Sequence, residues 1–187
     1  MIHSKLRIVI GAGKYNNNPE WTHTQKNELH LLKTDDWLRK FKKESISAIL
    51  AEHVWEHLTY EEGIQAAKNC YAFLIPGGYI RCAVPDGNFP DLEYQNMIQI
   101  GGPGSKNHPA NSHKIVYTYQ TLTTMFHTAG FKTSLLEYCD DNGQFYHHPW
   151  KPEEGMIYRS YLFDRRNKNG KLGFVSLILD AKKPFTS

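Results

Sequence analysis

With 187 residues, a formal net charge of +3 and 40% hydrophobic residues, the chain is sized for one domain with a real core. Acidic and basic residues alternate, so no block of like charge marks a nucleic-acid groove, and the apolar runs are too short to span a bilayer. A cytoplasmic protein, monomer or homodimer, is expected, with no nucleic acid, no membrane and no secretory leader.

Leu6–Ile10 (LRIVI) reads as a fully apolar strand, and Gly11-Ala12-Gly13 follows it as a tight turn. Residues 11–20 are too few for a comfortable helical crossover, and Asn16-Asn17-Asn18-Pro19 has no helical period. The helix that usually follows a first strand is therefore expected to be missing. Residues 28–32 read as a short edge strand, and Thr34-Asp35-Asp36 as the cap of a helix carrying Trp37, Leu38 and Phe41.

Residues 45–86 organise the chain. Residues 46–51 are a short apolar run, the pattern of a strand covered on both faces. Thr59 and Glu62 form a capping box, and Ile64, Ala67, Tyr71 and Leu74 make one apolar stripe, with Gln65, Lys68 and Asn69 off it. Pro76-Gly77-Gly78 stops the helix, and residues 79–84 form the next strand. Such a strand–helix–strand unit is parallel and right-handed. Glu52, His53, Glu56 and His57 fall at the carboxyl end of its first strand, where open parallel sheets bind ligands.

Beyond Asp86, residues 88–100 read as a helix with Leu92, Met97 and Ile100 inward, and residues 101–112 as a loop. Thr118 or Thr121 caps a helix containing Leu122, Met125 and Phe126, which Gly130 ends. Residues 131–138 and 173–180 read as two closing strands, and residues 140–154 as a lid-like loop. Cys70, Cys82 and Cys139, odd in number and widely spaced, read as free thiols.

The runs AEHVWEHL and FLIPGGYIRCAVPD resemble the second half of a class I S-adenosylmethionine-dependent methyltransferase. The glycine turn resembles the first motif of that family, and His113-Lys114, a threonine cap, a helix and Ala129-Gly130-Phe131 resemble its later segment. The resemblance implies an α/β, Rossmann-like fold: a mostly parallel sheet with a C-terminal antiparallel strand pair, short of helix near its N-terminus. It implies S-adenosylmethionine as cofactor and a small-molecule methyl acceptor. The cofactor would touch Gly11, Ala12 and Gly13 and the turn at Glu52, His53 and Val54. Gln25 stands where a subgroup has the acid that binds the ribose hydroxyls, and His30 or Asp35 where an acid approaches the adenine. A sulfonium lacks phosphate, so a glycine turn without a helix N-terminus suits it better than a dinucleotide.

Methyl transfer is an in-line displacement that needs orientation first and a base only for an acceptor of high pKa. His57 and His113 are candidate catalytic residues, His113 as the base with Asp86 orienting the substrate. Glu52 and Trp55 are candidates to face the sulfonium charge, and Trp55 reads equally as simple core. The plainer reading of His53 and His57 is that they bridge backbone groups in the turn. His53-Val54-Trp55-Glu56-His57 also fits H-x-x-E-H, a zinc-protease pattern, but that chemistry needs both rings on one formed helix. No metal is expected. A non-catalytic binding or partner domain with a degenerate site is the rival from another class.

Overall fold

The computed structural model describes residues 6–185. Seven strands form one sheet: β1 (Leu6–Ile10), β2 (Thr22–Thr24), β3 (Ile46–Glu52), β4 (Leu74–Pro85), β5 (Lys132–Cys139), β6 (Phe145–His147) and β7 (Ser176–Lys182). Their order is β2-β1-β3-β4-β7-β5-β6. The first four pair in parallel; β4–β7, β7–β5 and β5–β6 pair antiparallel. Four helices accompany them: α1 (Thr34–Lys40), α2 (Tyr60–Phe73), α3 (Leu92–Ile98) and α4 (Tyr119–Thr128). No described helix is long and apolar enough to cross a membrane.

The two faces of the sheet are covered differently. On one, α1, α2 and α4 bury Trp37, Ala67, Phe73, Leu122, Met125 and Phe126 against Ile8, Ile49, Ile80 and Leu179. Each fully buried large apolar side chain stabilises the fold by about 1.5–3 kcal/mol. On the other face Trp21, Ile157 and Trp150, from segments without regular structure, cover Val9, Leu50, Ala83 and Ile178. This explains the missing helix after β1: residues 11–21 cross the sheet as irregular chain, and Trp21 does the packing. A third small core, with Tyr94 and Ile98 of α3 against Phe174 and Val175, closes the carboxyl end of the sheet.

Several elements follow the expected pattern. Thr59 caps α2, its Oγ1 accepting from Glu62 N–H at 3.2 Å while Glu62 Oε2 accepts from Thr59 N–H at 2.8 Å. Thr118, not Thr121, is the cap of α4, and Gly130 follows that helix at φ +98°. The cysteines are free and buried.

Other elements differ. The edge strand is Thr22–Thr24 rather than residues 28–32: Ile8, Val9 and Ile10 pair in parallel with Thr22, His23 and Thr24, and the chain that follows turns on itself, Glu28 and Leu29 N–H both donating to the Gln25 carbonyl at 2.9 Å. Thr34 does not cap α1; it lies inside the helix and donates to Asn69 Oδ1 at 3.0 Å. Asn69 is accordingly buried, also donating to the Leu31 carbonyl at 2.7 Å. The inward stripe of α2 runs through Gly63, Ala66, Ala67, Cys70 and Phe73, with Ile64 and Tyr71 on its margin. The helix ends at Phe73, before the residue preceding Pro76, whose ring disfavours helical backbone there. In α3, Asp91 caps and Tyr94 and Ile98 turn inward, leaving Leu92 and Ile100 exposed. Residues 140–154 are not one loop: β5 turns back into β6 within them.

Candidate active site

The turn after β3 sets the site. His53 adopts φ +54°, a left-handed backbone that L-residues avoid, while its N–H donates to the Ala83 carbonyl at 2.8 Å. That turn throws residues 54–58 across the strand ends, where Trp55–His57 form one 3₁₀ turn before α2 begins. His53 and His57 thus share no helix face, which removes the geometry that H-x-x-E-H chemistry needs.

Three cavities meet at His53. One of about 190 Å³ lies over the glycine turn, lined by Gly11, Ala12, Gly13, Tyr15, Glu52 and Arg159 among others. A cleft of about 430 Å³ runs on from Gly11 past Leu29, His30, Leu31, Val54 and His57. A third, of about 440 Å³, is walled by Tyr15, Glu56, His57, His113, Arg159 and Arg166. Gly11 and Gly13 both hold left-handed backbone, φ +61° and +57°, and a Cβ on Gly11 would stand 2.7 Å from Val54 Cγ2. The close approach requires glycine there.

Three of the residues picked out from sequence do something other than expected. Gln25 is turned onto Gly13, donating to its carbonyl at 3.0 Å and accepting from its N–H at 3.1 Å, and does not line the cavity over the glycine turn. Asp35 is exposed on α1, away from these cavities; of the two adenine candidates, His30 lines the cleft. Asp86 is closed off from solvent, its carboxylate accepting from Asn88 N–H at 2.9 Å and Cys139 N–H at 2.7 Å. It braces the ends of β4 and β5 instead of orienting a substrate. Burial pushes its pKa up to about 6 against the pull of those two donors. Of the two readings of Trp55, the structure bears out core: its ring tilts at 36° against Phe126, and its Nε1–H donates to the Gly63 carbonyl.

Glu52 reaches the cavity but not as a free charge. It accepts from Tyr158 N–H (3.1 Å), Arg159 N–H (2.8 Å) and Arg159 Nε–H (3.2 Å). A carboxylate at the end of β3 therefore pins the segment that roofs the site. Arg159 in turn lies 5.4 Å over the Tyr15 ring, and Tyr15 stacks on Tyr158 at 5.6 Å. This roof, residues 155–172, gave no sequence signal; without a helical or strand period, nothing in it marks a role until Glu52 is seen beneath it.

His53, Glu56, His57 and His113 make the polar floor. The His53 side chain is 6% exposed, its Nε2 2.9 Å from Ser176 Oγ and its Nδ1 3.2 Å from Glu56 Oε1. Burial first, and the Arg159 charge second, hold its pKa well below the usual imidazole value, so the ring is neutral. The 3.2 Å approach lacks hydrogen-bond alignment, and neither Glu56 oxygen has a partner, although the residue is 1% exposed. Burial raises the pKa of Glu56. His57 Nδ1 meets Ser112 Oγ at 2.8 Å, and His113 Nδ1 meets the Ile98 carbonyl at 2.8 Å. A carbonyl only accepts, so His113 Nδ1 carries a hydrogen, and in the neutral ring Nε2 is the nitrogen with the lone pair. The backbone ties these segments together, Lys114 N–H donating to the Glu56 carbonyl at 2.8 Å. The two imidazole rings meet edge to face, 5.0 Å apart.

Neither the known protein families nor the curated protein sequences give a match to this chain. Solved structures do. A SAM-dependent methyltransferase from Archaeoglobus fulgidus aligns over 96% of this chain and 87% of its own, with TM-score 0.52 at 15% identity. A possible histamine N-methyltransferase from Thermotoga maritima aligns over 98% and 84%, with TM-score 0.56 at 15% identity. Phosphoethanolamine N-methyltransferase 2 from Haemonchus contortus, solved with S-adenosyl-L-methionine, aligns over 97% of this chain and 49% of its own, with TM-score 0.51 at 11% identity. The chain has the class I S-adenosylmethionine-dependent methyltransferase fold, with an α/β sheet that is parallel on its N-terminal side and antiparallel on its C-terminal side.

Proposed function

We propose that this chain is an S-adenosylmethionine-dependent methyltransferase acting on a small-molecule acceptor. The observation that carries this reading is the meeting of two cavities at His53 and His57, one running from the glycine turn and the other outside it. Methyl transfer needs that arrangement, since donor and acceptor must approach one carbon from opposite sides. Both volumes fall in the range of about 300–1,000 Å³ usual for small-molecule sites.

The residues present fit the cofactor. Leu29, Leu31, Leu32 and Val54 offer apolar surface for an adenine, with His30 beside them, and Gly11 allows backbone approach. No helix N-terminus follows the glycine turn, so a pyrophosphate finds no seat there. Bound, the cofactor would supply an electrophilic methyl group; the chain's part is to orient the acceptor between the roof held by Glu52 and the floor at His57 and His113.

Calorimetric titration with S-adenosylmethionine, followed by methyl-transfer assays over a panel of small hydroxyl, amine and carboxylate acceptors, tests the reading. Binding with turnover of one acceptor class is the expected result. Binding without turnover across the panel supports the rival, a cofactor-binding domain; no binding removes both.

A further inference from the structure

The floor of the second cavity holds an arrangement that methyl transfer does not require. One donor atom each from Glu56, His57 and His113 lies within 4.8 Å of the others. Two imidazoles and one carboxylate are the ligand set of catalytic zinc sites, which keep a further position open. At metal–ligand bonds of about 2.0–2.2 Å, donors on one tetrahedral ion stand about 3.4 Å apart, so a side-chain adjustment of about 1 Å seats one ion.

A second observation points the same way. Glu56 is 1% exposed, and neither of its carboxylate oxygens has a hydrogen-bond partner. Buried polar groups are nearly always satisfied, and an orphaned carboxylate is among the costlier exceptions. Its neighbours are instead fixed for ligation. His57 is held by Ser112 and His113 by Ile98, each through Nδ1 at 2.8 Å, the kind of outer support that orients metal-bound imidazoles. The sequence pattern hid this group, because it suggested His53 with His57, whereas His53 holds Ser176 through Nε2 and only flanks Glu56, its Nδ1 3.2 Å from Oε1, and the third donor comes from residue 113.

We propose that Glu56, His57 and His113 bind one divalent transition-metal ion of the zinc type, with an open coordination position facing the 440 Å³ cavity. Hard oxygen-seeking ions such as magnesium suit this nitrogen-rich set less well. The binding itself does not rest on the methyltransferase reading. Where that reading also holds, the open position would take an oxygen of the acceptor and favour its deprotonated form.

The test uses the whole chain, stripped with a chelator and titrated with Zn²⁺ alone, without cofactor. One equivalent should bind and raise the melting temperature. Glu56→Gln keeps the side chain's shape, so it should fold, as circular dichroism will show, and should weaken Zn²⁺ binding by more than the 10- to 100-fold typical of a lost supporting group. His113→Ala should do the same. His147→Ala with His148→Ala, on the β5–β6 hairpin and outside the 440 Å³ cavity, controls for adventitious histidine binding and should leave the titration unchanged. Absence of a one-equivalent transition in the wild-type chain overturns the proposal, as does its survival in Glu56→Gln or its loss in the His147/His148 variant. Because S-adenosylmethionine is absent throughout, the methyltransferase reading can fail without touching this result, and the reverse.

Discussion

The side chain of Gln25 clasps the backbone of Gly13 through both of its amide atoms, Nε2 donating to the carbonyl at 3.0 Å and Oε1 accepting from the N–H at 3.1 Å. Gly13 sits in left-handed backbone, φ +57°, at the mouth of the glycine-turn cavity, so the clasp holds the shape of that turn. A carboxylate at position 25 could accept from Gly13 but would have nothing to donate, and would face the carbonyl oxygen. Gln25→Glu should therefore weaken S-adenosylmethionine binding. A net neutral hydrogen bond contributes about 0.5–1.5 kcal/mol, so the loss is about two- to tenfold. Tighter binding by calorimetry at neutral pH would show that position 25 reaches the ribose instead.

Gly11→Ala places a Cβ 2.7 Å from Val54 Cγ2 in backbone at φ +61°. The left-handed conformation alone costs a residue with a Cβ about 1–2 kcal/mol. The variant should melt lower and bind cofactor more weakly. Adding Val54→Ala should restore only the part due to the contact, leaving the backbone cost. Wild-type affinity in the single variant would mean that the turn does not approach the ligand.

Asp86 gives a pH dependence with a definite sign. Its folded pKa, about 6, lies above the ordinary carboxyl value near 3.8, so folding favours the protonated form. The stability it contributes is complete below about pH 4 and is lost as pH rises through about 6. At about 1.4 kcal/mol per pKa unit, wild type should gain about 2–3 kcal/mol on Asp86→Asn between pH 7 and pH 4. Urea denaturation across that range measures the difference. A constant difference would show that Asp86 titrates normally.

Glu52 holds the roof through three N–H donors on Tyr158 and Arg159. Hydrogen bonds to a charged acceptor contribute about 1.5–3 kcal/mol each, so Glu52→Ala should release this segment while β3 stays paired. Hydrogen exchange should show lost protection at Tyr158 and Arg159 and unchanged protection at Ile49 and Leu50. Equal loss at all four would place Glu52 in the stability of the sheet itself.

Much of the frame was readable along the chain. β1, the glycine turn, β3, the capping box at Thr59 and the helix before Gly130 are encoded by neighbours within a few residues. The misplacements share one cause. The inward face of α2, the burial of Asn69 and the edge strand at Thr22–Thr24 depend on what packs opposite, and periodicity alone places such a face only to within a residue or so.

The site divides along the same line. Local sequence determined that acidic and imidazole side chains would stand at the carboxyl end of β3, because an apolar strand and a helix cap bracket them. It could not determine their directions. A left-handed residue at His53 turns the chain, Ile98 and Ser112 hold the imidazoles, and His113 arrives from far along the sequence to face Glu56. Glu52 likewise has its meaning only from Arg159, 107 residues away. Burial, pairing and the orphaned carboxylate are properties of a packed interior, where each group's partner is set by the whole fold rather than by its neighbours in sequence.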